Sequence, residues 1–403
     1  MIKNFKWVVL VSLTFMACTN DDTDTTGEAP VTSGTADFSK YVALGDSFAA
    51  GYSDGALFKK GQENSYPNLL AQQFAAAGGG VFTTPFMAPD NVGGFSSGGV
   101  QVVSQRLYLE SSSGTPTPTL VPGVSANTIT ERLTGSFNNM GIPGAKSFHL
   151  LFNGYAPLNP YFKRIASSTT ATVLGDALAQ NPTFFSLWIG GNDELGYATN
   201  GGVPTSQDPV NGNDLTPTAT FTASYNALAT QLSASGRKGV VANLPYVTAL
   251  PYFTTVPFNA VPLNAATATQ LNAGYAQYNG GLAVAQNAGL ISAAERTRRT
   301  ITFAAGQNAV VMVDSYLTNL SALGLPSFRQ ATSADLLVLP SRSIIGTTVG
   351  GNPAQVNGVS VPLEDKWVLS SDEVAEVKAA TDAYNLVIQA AATTNNLAFV
   401  DAK

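Results

Sequence analysis

The chain has 403 residues, 44% hydrophobic and only 11% charged, with 38 Gly, 22 Pro, one Cys and one His. At ~150 residues per domain this length allows two or three domains, or one domain carrying large insertions, and its apolar content argues for a packed fold over disorder. Twenty basic against 26 acidic residues give a net charge of −6, which repels phosphate backbones and argues against nucleic acid as a partner. One Cys and one His exclude a disulfide framework and a Cys/His zinc site of the usual ligand count. No metal and no cofactor is read from the chain.

Lys3 and Lys6 precede an apolar run, Trp7 to Ala17, of 11 residues. That suits a signal-peptide core and falls short of the ~20 residues that span a bilayer. The run ends Phe15-Met16-Ala17-Cys18, which resembles a bacterial lipoprotein cleavage box. Residues 1–17 are therefore expected to be an export signal and Cys18 a lipidated N-terminus, anchoring the protein at the cell envelope, on the outer membrane or cell surface, without a spanning helix. An ordinary signal peptide with a chance Cys is the alternative. Residues 18–37 carry Asp21, Asp22, Asp24, Glu28 and Asp37 among Thr, Ser, Gly and Pro with no basic residue, the composition of a solvated tether.

From Phe38 onward, short β-branched or aromatic runs alternate with amphipathic helices, the pattern of an α/β fold with a mostly parallel sheet. Tyr41–Leu44, Ser136–Asn139, Thr183–Ile189, Gly239–Asn243 and Leu397–Val400 read as five strands. One predicted helix has Phe221, Tyr225, Leu228 and Leu232 on one face and stops at Gly236. Another carries Val374, Val377, Tyr384, Val387 and Ala391, and Ser370 and Glu373 stand at capping-box spacing before it. Three stretches are too long for ordinary loops: about 78–134, 197–217 and 245–369. The last holds a strand candidate, Ala309–Val313, and a helix candidate near Ala265–Tyr278. The economical reading is one sheet domain over 38–403 with insertions that cover or shape a surface.

Three segments carry the chemistry. Leu44-Gly45-Asp46-Ser47 lies where the first strand ends and a helix should begin, which puts Ser47 at the carboxyl edge of the sheet beside helix N-terminal N–H groups. Asn139-Met140-Gly141-Ile142-Pro143-Gly144-Ala145 follows the second strand, and Ile189-Gly190-Gly191-Asn192-Asp193 the third. Acyl transfer needs donors aimed at the developing oxyanion, a Gly N–H that allows close approach and a side-chain amide. Gly144 and Asn192 are of those types. Each segment taken alone could equally be a capped or self-satisfied turn.

Together, in this order and on these elements, they resemble the SGNH/GDSL hydrolases, esterases and lipases with a flavodoxin-like three-layer α/β fold on a five-stranded parallel sheet. Gly45-Asp46-Ser47 matches the family's first block, with Phe48 where Leu is common; Gly144 matches its Gly block and Gly190-x-Asn192-Asp193 its Asn block. The resemblance covers Tyr41 to Val247 and leaves the insertions out. It implies that Ser47 is the nucleophile and that its N–H, the Gly144 N–H and Asn192 form an oxyanion hole. The substrate would be a carboxylic ester of a small molecule, lipid or glycan, met by a monomer.

The resemblance also implies a base from an Asp-x-x-His segment after the last strand, and here the sequence reads Asp401-Ala402-Lys403 after that strand. A truncated chain with reduced activity is therefore expected. The only His, His149, reads as a helix-surface or core residue if a helix starts near Ala145, with a substitute base as the alternative. Asp365, in Asp365-Lys366-Trp367-Val368, reads as structural. A rival from another class is a non-catalytic surface lipoprotein that binds a lipid or glycan on the same fold. Asp208, Asn211, Asn213 and Asp214 supply oxygen ligands but not an EF-hand's spacing, and Gly78-Gly79-Gly80 lacks the Lys and Ser/Thr of a P-loop.

Overall fold

The computed structural model describes residues 31–112, 117–205 and 212–403. The export signal, Cys18 and most of the acidic tether, together with Asp208 and Asn211, lie outside the described residues. The elements used below are, in chain order, β1 (Tyr41–Gly45), α1 (Ser47–Ala50), α2 (Tyr66–Ala75), β2 (Asn139–Gly141), α3 (Val173–Leu178), β3 (Phe184–Trp188), α4 (Asn192–Thr199), α5 (Thr218–Ser233), β4 (Lys238–Ala242), α6 (Ala265–Asn287), α7 (Ser371–Thr394) and β5 (Ala398–Val400).

The five strands form one parallel sheet in the order β5-β4-β3-β1-β2. This is the flavodoxin-like order, in which the chain steps one way from β1 to β2 and then the other way through β3, β4 and β5. Right-handed crossovers convert that reversal into helices on opposite faces. Accordingly Leu70, Ala71 and Phe74 of α2 pack on Tyr41, Ala43 and Phe184, whereas α3, α5 and α7 cover Val42, Leu44, Phe185, Leu187 and Val241 on the other face. Strand alternation assigns those two sets to the two faces. Among the described residues α2 is the one helix packed on its face of the sheet, and a groove of about 430 Å³ remains between Leu70 and Phe74 of α2 and Val240, Ala242 and Val400 of the sheet.

Four of the five strands stand within a residue or two of their expected bounds, and the second is displaced. It was expected over Ser136–Asn139, yet β2 runs from Asn139 to Gly141, paired Ala43 to Asn139 and Gly45 to Gly141. Asn138 explains the shift. Its Nδ2 donates to Tyr41 O and its Oδ1 accepts the Thr83 N–H, each at 2.9 Å, so this side chain ties the approach to the strand by bonds that no alternation reveals. Gly141 then passes where a Cβ would lie 2.2 Å from Ala50 N.

The helix α7 starts as its sequence dictates. Ser370 Oγ accepts the Glu373 N–H and Glu373 Oε2 accepts the Ser370 N–H at 2.7 Å. The helix near Ala265 extends to Asn287, well past the expected Tyr278, and the strand expected over Ala309–Val313 forms over Val311–Val313, antiparallel to Phe328–Gln330.

The insertion over 245–369 is more than a cover. Val261, Ile301, Phe303, Val311, Met312 and Leu337 are buried in a core of its own, and a second cluster including Val247, Phe253, Val338, Leu369 and Val377 joins it to α4 and α7. Beneath it the buried Arg329 bridges two buried carboxylates, Nε to Asp314 Oδ2 at 2.5 Å and the two terminal nitrogens to Asp335 at 2.6 and 2.7 Å. Asp335 also accepts the Ser371 N–H at 2.8 Å, at the start of α7.

Candidate active site

The first loop follows from Gly45 and Asp46. A Cβ on Gly45 would lie 2.5 Å from Trp188 O and 2.8 Å from Ala49 Cβ, so only glycine lets β1 turn into α1 against β3. Asp46 is the N-cap, its Oδ1 accepting the Phe48 N–H at 3.0 Å. Ser47 thereby becomes the first residue of α1, partly exposed, with its N–H among those that have no intrahelical acceptor. Gly51 closes this short helix in the left-handed region at φ 82°.

The second loop leaves β2 through Ile142 and Pro143 to Gly144, whose φ is +79°, with open space where a Cβ would stand. Glycine is required here by backbone conformation rather than by crowding. No hydrogen bond among the described residues takes the Gly144 N–H. The third loop leaves β3 through Gly190, at φ +131° and pressed against Phe221 and Leu244, and enters α4 at Asn192.

Contacts bring the three loops together at the carboxyl edge, at the point between β1 and β3 where the strand order reverses. A Cβ on Gly191 would stand 3.6 Å from Asp46 Oδ2. Asn192 Nδ2 donates to Ala145 O at 3.0 Å, one residue past Gly144, leaving its second amide hydrogen for another acceptor. Asp193 is fully buried and accepts from Ser147 twice, N–H to Oδ2 and hydroxyl to Oδ1, both at 2.8 Å. Asn139 Nδ2 donates to Ala49 O at 2.9 Å, fixing α1 against β2. The sequence pointed to Ser47, Gly144 and Asn192. It did not point to the Asp193–Ser147 clip, whose only signal was the Asp directly after the Asn.

Burial perturbs the carboxylates under this edge. Burial pushes Asp46 up to about 7, the Phe48 N–H opposing and the neighbouring Asp193 adding. Asp193 is pushed up to about 6 by burial, against its Ser147 bonds and the charge of Lys146. Glu194 reaches about 8 for the same first reason, though Thr381 donates to its Oε2 at 2.6 Å; no group among the described residues bonds its Oε1.

His149 does not lie on a helix starting near Ala145. It sits in a 3₁₀ turn, Ser147–Leu151, buried to 3% exposure, with its Nδ1 accepting the Lys146 N–H at 3.0 Å and its ring stacked on Tyr155 at 4.4 Å. The cause is distant in the chain: Asp193 draws Ser147 inward and the turn follows. Lys146 Nζ donates to Gly212 O and Asp214 O at 2.9 and 3.1 Å, tying this loop to the end of the 197–217 insertion. Asp365 lies in the 3₁₀ turn Asp365–Trp367, where its carbonyl packs against Gly201, and burial together with nearby Asp314 pushes it up to about 6. After β5, Asp401 Oδ1 accepts from Asn243 Nδ2 at 2.6 Å and Lys403 pairs with Asp382. No cluster of three or more His, Cys, Asp or Glu suited to a metal occurs among the described residues.

A parallel sheet in this order, with a Gly-Asp-Ser turn, a left-handed Gly and an Asn-Asp helix start clasped at its switch point, defines a class of hydrolase. A family profile described as GDSL-like Lipase/Acylhydrolase matches residues 41–317. The chain belongs to that family, and its activity is of the ester-hydrolase type. No curated protein and no solved structure matches the chain.

Proposed function

We propose that the protein hydrolyses carboxylic esters through an acyl-enzyme on Ser47. Ser47 Oγ attacks the carbonyl carbon as its proton passes to a base, and the tetrahedral oxyanion meets the N–H groups of Ser47 and Gly144 and the free amide hydrogen of Asn192. Collapse releases the alcohol with that proton, and water then cleaves the acyl group from Ser47. The observation that carries this reading is the Asn192–Ala145 bond at 3.0 Å, which sets an amide donor beside the loop of Gly144 before any substrate arrives.

His149 makes a poor base in this arrangement, because its Nδ1 already accepts a backbone N–H inside a buried turn, and it is the chain's single imidazole. Turnover by the 403-residue chain is therefore expected to be slow, near the residual level of binding and oxyanion stabilisation, ~10³–10⁴-fold over water. The same observation favours the second reading, a surface lipoprotein that binds a lipid or glycan on this fold. Covalent capture of Ser47 by a fluorophosphonate, lost in Ser47→Ala, tests the choice. Absence of labelling together with no Ser47-dependent ester cleavage would leave the binding reading. In either case Cys18 would hold the protein at a membrane surface; no helix among the described residues is long and apolar enough to cross one.

A further inference from the structure

Beside the nucleophile loop lies a cavity of about 810 Å³, the size of a small-ligand site. Two of its walls adjoin the proposed catalytic loops. Phe48 follows Ser47 directly, and Trp188 ends β3 just before the Gly190–Asn192 loop. Their rings stack at 5.4 Å between centroids and 13° between planes, and Tyr52 and Phe58 extend the aromatic lining.

The remaining lining carries two cations, Arg106 and Lys60, one anion, Asp54, and neutral polar side chains. Arg106 is held from three sides: its backbone N–H donates to Val92 O at 2.9 Å, its Nε donates to Asn91 O at 2.7 Å, and its guanidinium lies 4.9 Å from the centre of the Phe58 ring. Among the described residues its one ionic neighbour is Asp54, with Nη1 3.8 Å from Oδ2, too far for a hydrogen bond. The two terminal nitrogens thus make no hydrogen bond among the described residues, although the side chain is only 27% exposed. Lys60 lines the same cavity and forms no ion pair among the described residues, its neighbour Lys59 being paired with Glu63. Two of the chain's 20 basic residues thus line one cavity, against the single carboxylate of Asp54.

A fixed guanidinium whose terminal donors stay open to the cavity is a fork for a carboxylate. A site for a neutral acyl chain has no use for it. We infer that this cavity selects esters that carry a carboxylate beyond the scissile bond, with Arg106 as the specificity-determining residue, Lys60 adding charge and the Phe48–Trp188 wall holding the apolar part. This inference rests on the proposed ester hydrolysis and adds the substrate class to it.

The test compares 4-nitrophenyl acetate with the monoanionic 4-nitrophenyl hemiglutarate on the full chain, with imidazole supplied as base. The wild type should prefer the anionic ester, and added salt should shrink that preference. Arg106→Gln should lower the anionic-to-neutral ratio of kcat/KM about tenfold or more, mainly through KM, and Arg106→Lys should restore part of it. A wild type without the preference, or a ratio unmoved in Arg106→Gln, would overturn the inference even with hydrolysis intact. Failure of the hydrolase reading is read separately, by Ser47→Ala titrated with phenyl hemiglutarate under tryptophan fluorescence. Binding that weakens when Arg106→Gln is added supports the site without turnover, and binding that is absent or indifferent to Arg106 counts against it.

Discussion

Asp193 holds Ser147 by two hydrogen bonds of 2.8 Å, one to its backbone N–H and one to its hydroxyl, so the loop after β2 and the helix after β3 move as one body. Asn192 adds its bond to Ala145 O from the same helix turn. The spacing between two of the three proposed oxyanion donors, Gly144 and Asn192, is therefore set by a buried carboxylate that makes no hydrogen bond to Ser47 among the described residues. On the proposed mechanism Asp193 is a positioning residue.

Replacing Asp193 by Asn keeps the shape but offers Ser147 one acceptor where two donors converge, leaving a buried N–H or hydroxyl unmet. A stability loss of about 1–3 kcal/mol is expected, seen as a lower urea midpoint. If the clip sets the donor geometry, kcat should fall about tenfold to a hundredfold with little change in KM. Loss in KM alone, with kcat intact, would reduce Asp193 to a packing role.

The buried acids predict how stability varies with pH. Asp46, Asp193 and Glu194 have folded values of about 7, 6 and 8, above ordinary values of ~3.9 for Asp and ~4.3 for Glu. Folded protein then binds protons more tightly than unfolded, so this stabilisation is full below about pH 4 and lost as pH rises to about 8. Asp335 has the opposite sign. Burial alone would raise it, but Arg329 holds it below the usual range, and its contribution is lost as pH falls below ~3.9. The melting temperature should therefore peak in mildly acidic solution, and Glu194→Gln should flatten the alkaline side of the profile. A maximum above pH 8 would contradict this.

Arg329 is 1% exposed and bridges Asp314 and Asp335. Arg329→Leu leaves the buried Asp335 without its cation and Asp314 with Arg298 alone, and a loss of about 3–5 kcal/mol is expected by chemical denaturation. Because Asp335 also caps the start of α7 at Ser371, limited proteolysis should open the 245–369 region before the sheet domain.

Imidazole in the buffer should raise Ser47-dependent hydrolysis of an aryl ester by the 403-residue chain, with Ser47→Ala showing no such rise. His149→Ala should lower stability, since it removes the Tyr155 stacking and the Lys146 acceptor, while the imidazole-supported rate persists in whatever remains folded. Full activity without imidazole that vanishes in His149→Ala would make His149 the base.

Lipidation at Cys18 is tested by fractionating cells that express the wild type or Cys18→Ala. The acylated form should pellet with membranes and the variant should not, because stable attachment needs two acyl signals and a diacylated Cys provides them. Equal recovery in the membrane fraction would argue for an ordinary signal peptide.

The fold class and three proposed site residues were legible from local patterns. Strand runs bounded by glycine, a helix marked by Ser370 and Glu373, and Ser47, Gly144 and Asn192 each placed just past a strand end depend on chemistry within a few positions of the chain. What escaped the sequence depends on groups far apart in it. Asn138 displaces the second strand by bonding to Tyr41 O, Asp193 draws Ser147 inward and so buries His149 in a turn rather than a helix, and Arg106 reaches the cavity beside Phe48 only because Asn91 and Phe58 hold it there. Periodicity records which face a residue presents along its own element. Which distant partner satisfies a buried donor or carboxylate is decided only when tertiary packing removes water and leaves one geometry in which the polar groups are paired.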